Sequence, residues 1–272
     1  LFVNNHNRRF NGTARISGNG KKLVLVRQHS IAGFALVNWV STSTNSLTEA
    51  DLARVFLYDL ATGEMKTVFT GTQAQSAAKS GGWFLTQRDA NLTADINSDG
   101  SRVVVFHSDQ RLGVSPEGFA TNLLADRVLQ LIDTGTGQVM SKTRLPTGGI
   151  DQPTDPIKMN DDGSRTVFRH HGRGEARNTW GVDYFIEAPV QLYSLALSGN
   201  ALPTPLSEGD GTKAPLIYSE SLDRMAFAFD LDRAGQRVVF TYADPKQVIG
   251  VNFDGTGRHV ISTKTDVPFV GL

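Results

Sequence analysis

The residues best equipped for chemistry lie in one stretch, Arg169-His170-His171-Gly172-Arg173-Gly174-Glu175-Ala176-Arg177-Asn178-Thr179-Trp180-Gly181-Val182-Asp183-Tyr184. An arginine fork can clamp a carboxylate with two parallel hydrogen bonds. Trp180 and Tyr184 can stack on a sugar or a peptide. Arg173, Trp180, Tyr184, His170 and His171 are therefore candidate ligand- or partner-binding residues; the plainer reading is a solvated loop that Trp180 anchors. Trp39 is a further candidate, within an apolar run of Phe34, Leu36, Val37 and Val40 that reads as an added strand or a contact lip.

Familiar catalytic signatures are missing. There is no G-x-S-x-G elbow, H-E-x-x-H, Walker loop or dinucleotide fingerprint. Asp95-x-Asn97-x-Asp99-Gly100 resembles the start of a calcium loop, but its twelfth position is Phe106 and its flanks read as strands. Expectation: a turn, no catalytic residue, no metal and no cofactor. The 272 residues contain no cysteine, which excludes disulfides and thiolate chemistry. Balanced charge, 27 basic against 27 acidic residues, argues against nucleic acid as partner. No apolar run reaches the roughly 20 residues that a membrane-spanning helix needs.

What would position the candidate residues is a repeat. Four segments share a strand–turn–strand pattern: Arg15 to Leu25, Asp95 to Val105, Lys158 to Phe168 and Asp230 to Phe240. Each has a glycine at one fixed place (Gly20, Gly100, Gly163, Gly235), where a tight hairpin needs positive φ. A second half-motif follows each: Val55 to Gly63, Leu129 to Gly137, Val190 to Gly199 and Ile249 to Gly257. Fourth strands are expected at Met65–Phe69, Val139–Leu145, weakly at Leu202–Leu206, and at His259–Ser262. Four antiparallel strands per repeat make a propeller blade.

The expected fold is all-β: a β-propeller or partial propeller of about four visible four-stranded blades with long inserted loops on one face. Its repeats run approximately over 12–71, 92–146, 155–207 and 226–263, within a single domain 1–272 that could belong to a longer chain. An incomplete ring, a longer parent and a four-bladed ring all stay open.

The hairpin resembles the S-P-D-G turn of TolB-like (WD40-like) propellers, and the second half resembles their I-Y-V-x-D-x-x-x-G strand and turn. The leading Trp and the Pro of W-S-P-D-G are absent from all four copies. That resemblance implies an extracytoplasmic bacterial setting, periplasmic or extracellular, and a role in binding or scaffolding.

From hairpin glycine to the middle of the next half-motif the spacing is 38, 32, 30 and 16 residues (Gly20 to Tyr58, Gly100 to Ile132, Gly163 to Tyr193, Gly235 to Val251). The first three repeats therefore carry inserts between second and third strands, and equivalent connections open on one face. The second insert, Gly113 to Asp126, suggests no chemistry. Seven residues after each glycine stand Arg27, His107, His170 and Tyr242, a polar set at similar heights; His107 joins the binding candidates.

The functional expectation is a non-catalytic protein-binding or scaffolding module and not an enzyme. A carbohydrate-binding or carbohydrate-active propeller, and an architectural subunit of a larger assembly, are the alternatives.

Overall fold

The computed structural model describes residues 14–27, 53–71, 73–77, 83–87, 89–114, 120–146, 157–171, 176–179, 182–185, 190–199, 201–207, 226–242 and 247–263. Every regular element among them is a β-strand, and four antiparallel sheets of four strands account for most of them. Sheet 1 is β1 (Ala14–Ile16), β2 (Lys22–Arg27), β3 (Arg54–Asp59) and β4 (Met65–Thr70). A separate hairpin follows, β5 (Gln73–Ala77) with β6 (Trp83–Gln87). Sheet 2 is β7 (Asp89–Ile96), β8 (Arg102–Val114), β9 (Ala120–Asp133) and β10 (Val139–Pro146).

Sheet 3 is β11 (Ile157–Met159), β12 (Arg165–His171), β15 (Val190–Ala196) and β16 (Thr204–Pro205). Its middle strands are separated by the hairpin β13 (Ala176–Thr179) with β14 (Val182–Phe185). Sheet 4 is β17 (Ala226–Leu231), β18 (Arg237–Tyr242), β19 (Gln247–Asn252) and β20 (His259–Thr263). Each sheet is a meander in chain order, so each repeat closes its own hydrogen bonding before the chain moves on.

The hairpins form because their glycines supply the left-handed conformation. Gly20, Gly100, Gly163 and Gly235 have φ of 71°, 76°, 70° and 70°. In each turn a polar side chain at the end of the first strand accepts the amide that opens the second: Ser17 Oγ from Lys22, Asn97 Oδ1 from Arg102, Asn160 Oδ1 from Arg165, and Asp232 Oδ1 from Arg237. The β-branched runs that follow alternate between two faces, and both faces of the inner sheets are buried. Three apolar clusters lie between successive sheets. Val24, Val26, Val55 and Leu57 meet Leu92, Ala94, Val103, Val105 and Ile132 between sheets 1 and 2. Val104, Phe106, Leu129 and Leu131 meet Ile157, Phe168 and Leu195 between sheets 2 and 3. Val167, Leu192 and Leu206 meet Phe229, Val238, Phe240 and Ile249 between sheets 3 and 4.

The turns themselves are joined from sheet to sheet. Asn19 N–H donates to Ser98 O (2.8 Å), Ser98 N–H to Asp161 O (3.0 Å), and Asp161 N–H to Arg233 O (3.0 Å). A basic side chain two residues after each of the first three turn glycines reaches the next turn. Lys22 Nζ donates to Gly100 O (3.1 Å), Arg102 to Asp162 O (2.9 Å), and Arg165 to Gly235 O (2.7 Å). The side chain lies across the receiving glycine, which leaves no room for a Cβ. One built on Gly100 would sit 2.7 Å from Lys22 Cδ, and one on Gly163 2.8 Å from Arg102 Cδ and 3.3 Å from Asn97 Cβ.

Of the second insert, which suggests no chemistry in the sequence, residues 113–114 and 120–126 continue β8 and β9, whose pairing runs out to Val114↔Ala120. Among the described residues the hairpin of β5 and β6 has no counterpart in the other repeats.

Alanine should therefore be costlier at Gly163 than at Gly20, where a Cβ would meet nothing within 4 Å. Gly20→Ala should lose about 1–2 kcal/mol, the cost of a left-handed alanine. Gly163→Ala should lose about 1–3 kcal/mol more, because overpacking adds to that cost. Urea denaturation of the two variants checks the order.

Candidate functional site

The second strands leave their sheets at the end opposite the glycine turns, and polar groups collect there. In sheet 1, Arg27 and Arg54 are directly opposite in register, and the Arg27 guanidinium lies 5.6 Å from the Phe56 ring centroid. In sheet 2, His107 pairs with Val128 and Ser108 with Arg127. In sheet 3, Arg169 pairs with Leu192 and His170 with Gln191.

Strand alternation decides which way each points. His107 shares parity with Val105, so it faces sheet 1, where its ring is 5.0 Å from that of Phe69. It is only 1% exposed. Gln130 Nε2 lies 3.0 Å from His107 Nε2, within hydrogen-bond distance. Gln130 is itself buried.

The gap between sheets 2 and 3 holds a second group. Arg127 is 2% exposed, with its guanidinium 5.0 Å from the Phe106 ring centroid. Phe106 and Phe168 meet at 5.3 Å. His170, on the same face of sheet 3 as Phe168, is buried and sets its ring edge toward Tyr193 at 5.9 Å. Tyr193 O–H donates to Gln191 Oε1 at 2.8 Å, and burial raises the phenol pKa. A buried guanidinium is costly to desolvate unless its donors are met, so such a group is held in a fixed place.

Spacing predicts equivalent places for His107 and His170, and the structure puts them there, each on the face toward the preceding sheet. Tyr184 lies in β14, with Arg177 as its register partner, and His171 ends β12 opposite Val190. The side chains of Tyr184 and His171, and Arg173, Trp180 and Trp39 altogether, lie outside the described residues. Among the described residues no cluster of three His, Asp or Glu could hold a metal ion. Arg54, Arg127, Gln130 and Arg169 escaped the sequence reading. A signal was available for Gln130, which interrupts an apolar run between the core residues Val128 and Ile132.

The segment that resembles a calcium loop spends its side chains on structure. Asn97 Oδ1 accepts from Arg102 N–H and Asp99 Oδ1 from Ser101 N–H. Asp95 bridges sheets 2 and 3, accepting from Met159 N–H at 2.8 Å. Burial raises its pKa to about 6, against the lowering effect of the Met159 and Ile96 amides and of Arg15 and Lys158.

No protein-family model and no curated protein matches this chain. Solved structures of similar fold include TolB from Acinetobacter baumannii (15% identity, TM-score 0.43, 92% of this chain and 42% of that one). An oligogalacturonate lyase in complex with manganese is another (15%, 0.44, 93% and 53%). A third is an acylaminoacyl peptidase from Pyrococcus horikoshii (13%, 0.45, 92% and 32%). The chain spans less than two thirds of the length of each. These matches correct the functional expectation. Peptidases and a lyase stand among the similar structures, so the reading as a non-catalytic protein-binding or scaffolding module, and not an enzyme, is withdrawn. A propeller repeat carries no catalytic signature of its own, so the missing motifs do not speak to activity. Among the described residues no helix is long and apolar enough to cross a membrane.

Asp95 gives the protein a pH dependence of defined sign. The native state holds this proton to about pH 6, whereas an unfolded aspartate releases it near 3.8. Stability from this group is full below pH 3.8 and is lost as pH rises through 6. The span amounts to about 3 kcal/mol at most, at 1.36 kcal/mol per unit. Asp95→Asn should flatten the stability profile between pH 4 and 7, measured by urea midpoints.

Proposed function

We propose that this chain is the propeller part of an enzyme and that the end where the second strands leave holds a carboxylate-bearing substrate. One observation carries the reading. Arg27, Arg54, Arg127 and Arg169, with His107 and His170, stand at that end of three successive sheets. Of the described side chains, Asp59, Asp99, Asp133, Asp161, Asp162, Asp232 and Asp254 lie in or beside the turns at the other end, while sheet 2 carries Asp89, Asp109 and Asp126 in register with one another at the end where the second strands leave. Charge-assisted hydrogen bonds to guanidinium groups suit a carboxylate, and a site of this kind attracts anions from a distance.

The inserts leave from the same end, so Arg173, Trp180, Tyr184, His171 and Trp39 would supply further contacts, with the aromatic rings stacking on the substrate. A uronate-containing oligosaccharide has the matching chemistry, a carboxylate on each residue and a flat sugar face. In this reading the four repeats form one domain over 1–272, and the TolB-like motifs favour a place outside the bacterial cytoplasm.

Calorimetric titration with oligogalacturonate tests this, with a neutral galactan of equal length as control. The acidic oligomer should bind, the neutral one should not, and Arg169→Ala should weaken binding about 10-fold or more, the loss typical of a hydrogen bond to a charged group. Equal binding of both oligomers, or none of either, would overturn the reading.

A further inference from the structure

The residue five places before each turn glycine is charged, and its sign alternates from sheet to sheet. It is Arg15 in β1, Asp95 in β7, Lys158 in β11 and Asp230 in β17. Strand alternation aims the last three away from the sheet before them. Ala94 and Ile96 pack toward sheet 1, Ile157 and Met159 toward sheet 2, and Phe229 and Leu231 toward sheet 3. Asp95, Lys158 and Asp230 are one residue out of step with these and face onward.

The contacts agree with that direction. Asp95 Oδ2 accepts Met159 N–H at 2.8 Å, one residue from Lys158, on the edge strand of sheet 3. Lys158 Nζ lies 3.4 Å from Asp230 Oδ1 in sheet 4. One cation thus stands between two carboxylates in opposite surroundings. Asp95 is 8% exposed, whereas the Asp230 side chain is 74% exposed. An exposed ion pair is screened by water and worth little, while attraction grows as the medium becomes less polar. The Lys158 stem is flexible and partly exposed, so its ammonium can change partner without moving the strand.

Arg15 of sheet 1 is the second cation acting on Asp95. On β8 its register partner is the apolar Val104. From β2 and β3, Val24, Val26, Val55 and Leu57 pack against Leu92, Ala94 and Ile96, on the opposite face of β7. Burial raises the Asp95 pKa to about 6, opposed by the Met159 and Ile96 amides, Arg15 and Lys158, so this carboxyl changes charge near neutral pH.

We propose that Lys158 is a shared cation whose partner is chosen by the proton on Asp95. With Asp95 protonated, Lys158 pairs with Asp230, and the ion pair ties sheet 3 to sheet 4. Loss of that proton to water leaves a negative charge in the gap between sheets 2 and 3. The ammonium then turns to Asp95, and the tie moves back by one sheet. The first strands carry a pH-sensitive latch.

An NMR titration of the folded chain through pH 6 tests this, following the Asp95 carboxyl carbon and the Lys158 ammonium nitrogen. The Lys158 signal should shift at the Asp95 midpoint, and Asp95→Asn should abolish that shift. Asp230→Asn, at an exposed position in another sheet, should lower the Asp95 midpoint, because Lys158 then has one carboxylate to serve. Lys158→Met should raise the midpoint, and Lys158→Arg should hold it near that of the unaltered chain. Circular dichroism checks that each variant keeps its sheets. A Lys158 signal that stays flat while Asp95 titrates, or an Asp95 midpoint indifferent to Asp230→Asn, would overturn the proposal.

Discussion

Everything in this structure hangs on a hydrogen-bonded row of turns in which Gly100, Gly163 and Gly235 are each crossed by a cation from the sheet before. The glycine is needed twice over. Its positive φ closes the hairpin, and its missing Cβ lets the aliphatic stem of Lys22, Arg102 or Arg165 lie flat on the next turn. The stem covers backbone while the charged head reaches a carbonyl. With the turns fixed at one end, the β-branched faces behind them meet in register and the three apolar clusters form. Asp95, accepting the Met159 amide deeper in the second gap, adds a further polar tie between sheets.

That arrangement sets a polarity along the sheets. Carboxylates serve the turns, where Asp59, Asp133 and Asp254 cap backbone amides and have their pKa values lowered by those hydrogen bonds. Guanidinium and imidazole groups lie at the other end, partly buried between sheets and stacked on Phe56 and Phe106, and share it with Asp89, Asp109 and Asp126 of sheet 2. A scaffold held at one end is free to vary at the other, and three of the four connections there are long.

Much of the fold could be read from the sequence because its decisive features are local. A positive-φ glycine after a polar residue, followed by Val-Val-Val or Val-Val-Phe, specifies a hairpin without help from distant contacts. The fourth strand of sheet 3 was faint because Leu202 to Leu206 contains Pro203 and Pro205, and the structure keeps only Thr204–Pro205 as a strand. The hairpin at 73–87 escaped because Gln73-Ala-Gln-Ser-Ala77 is small and polar, without the alternation that marks a half-buried strand. At the site, spacing gave the heights of His107 and His170 but said nothing of their partners. Gln130 reaches His107, and Arg127 the Phe106 ring, only through strand register, which the spacing within one repeat does not fix. The basic clamp was visible as a basic residue two places after each turn glycine, yet only the packed sheets show what it grips.

Native-state hydrogen exchange at the turns addresses the central claim most directly. If the turn row holds the sheets together, the amides of Asn19, Ser98 and Asp161 should exchange slowly and with one common opening free energy, close to that of global unfolding. Exchange of these three amides as fast as an unstructured chain, while the strand amides of the same sheets stay protected, would contradict it.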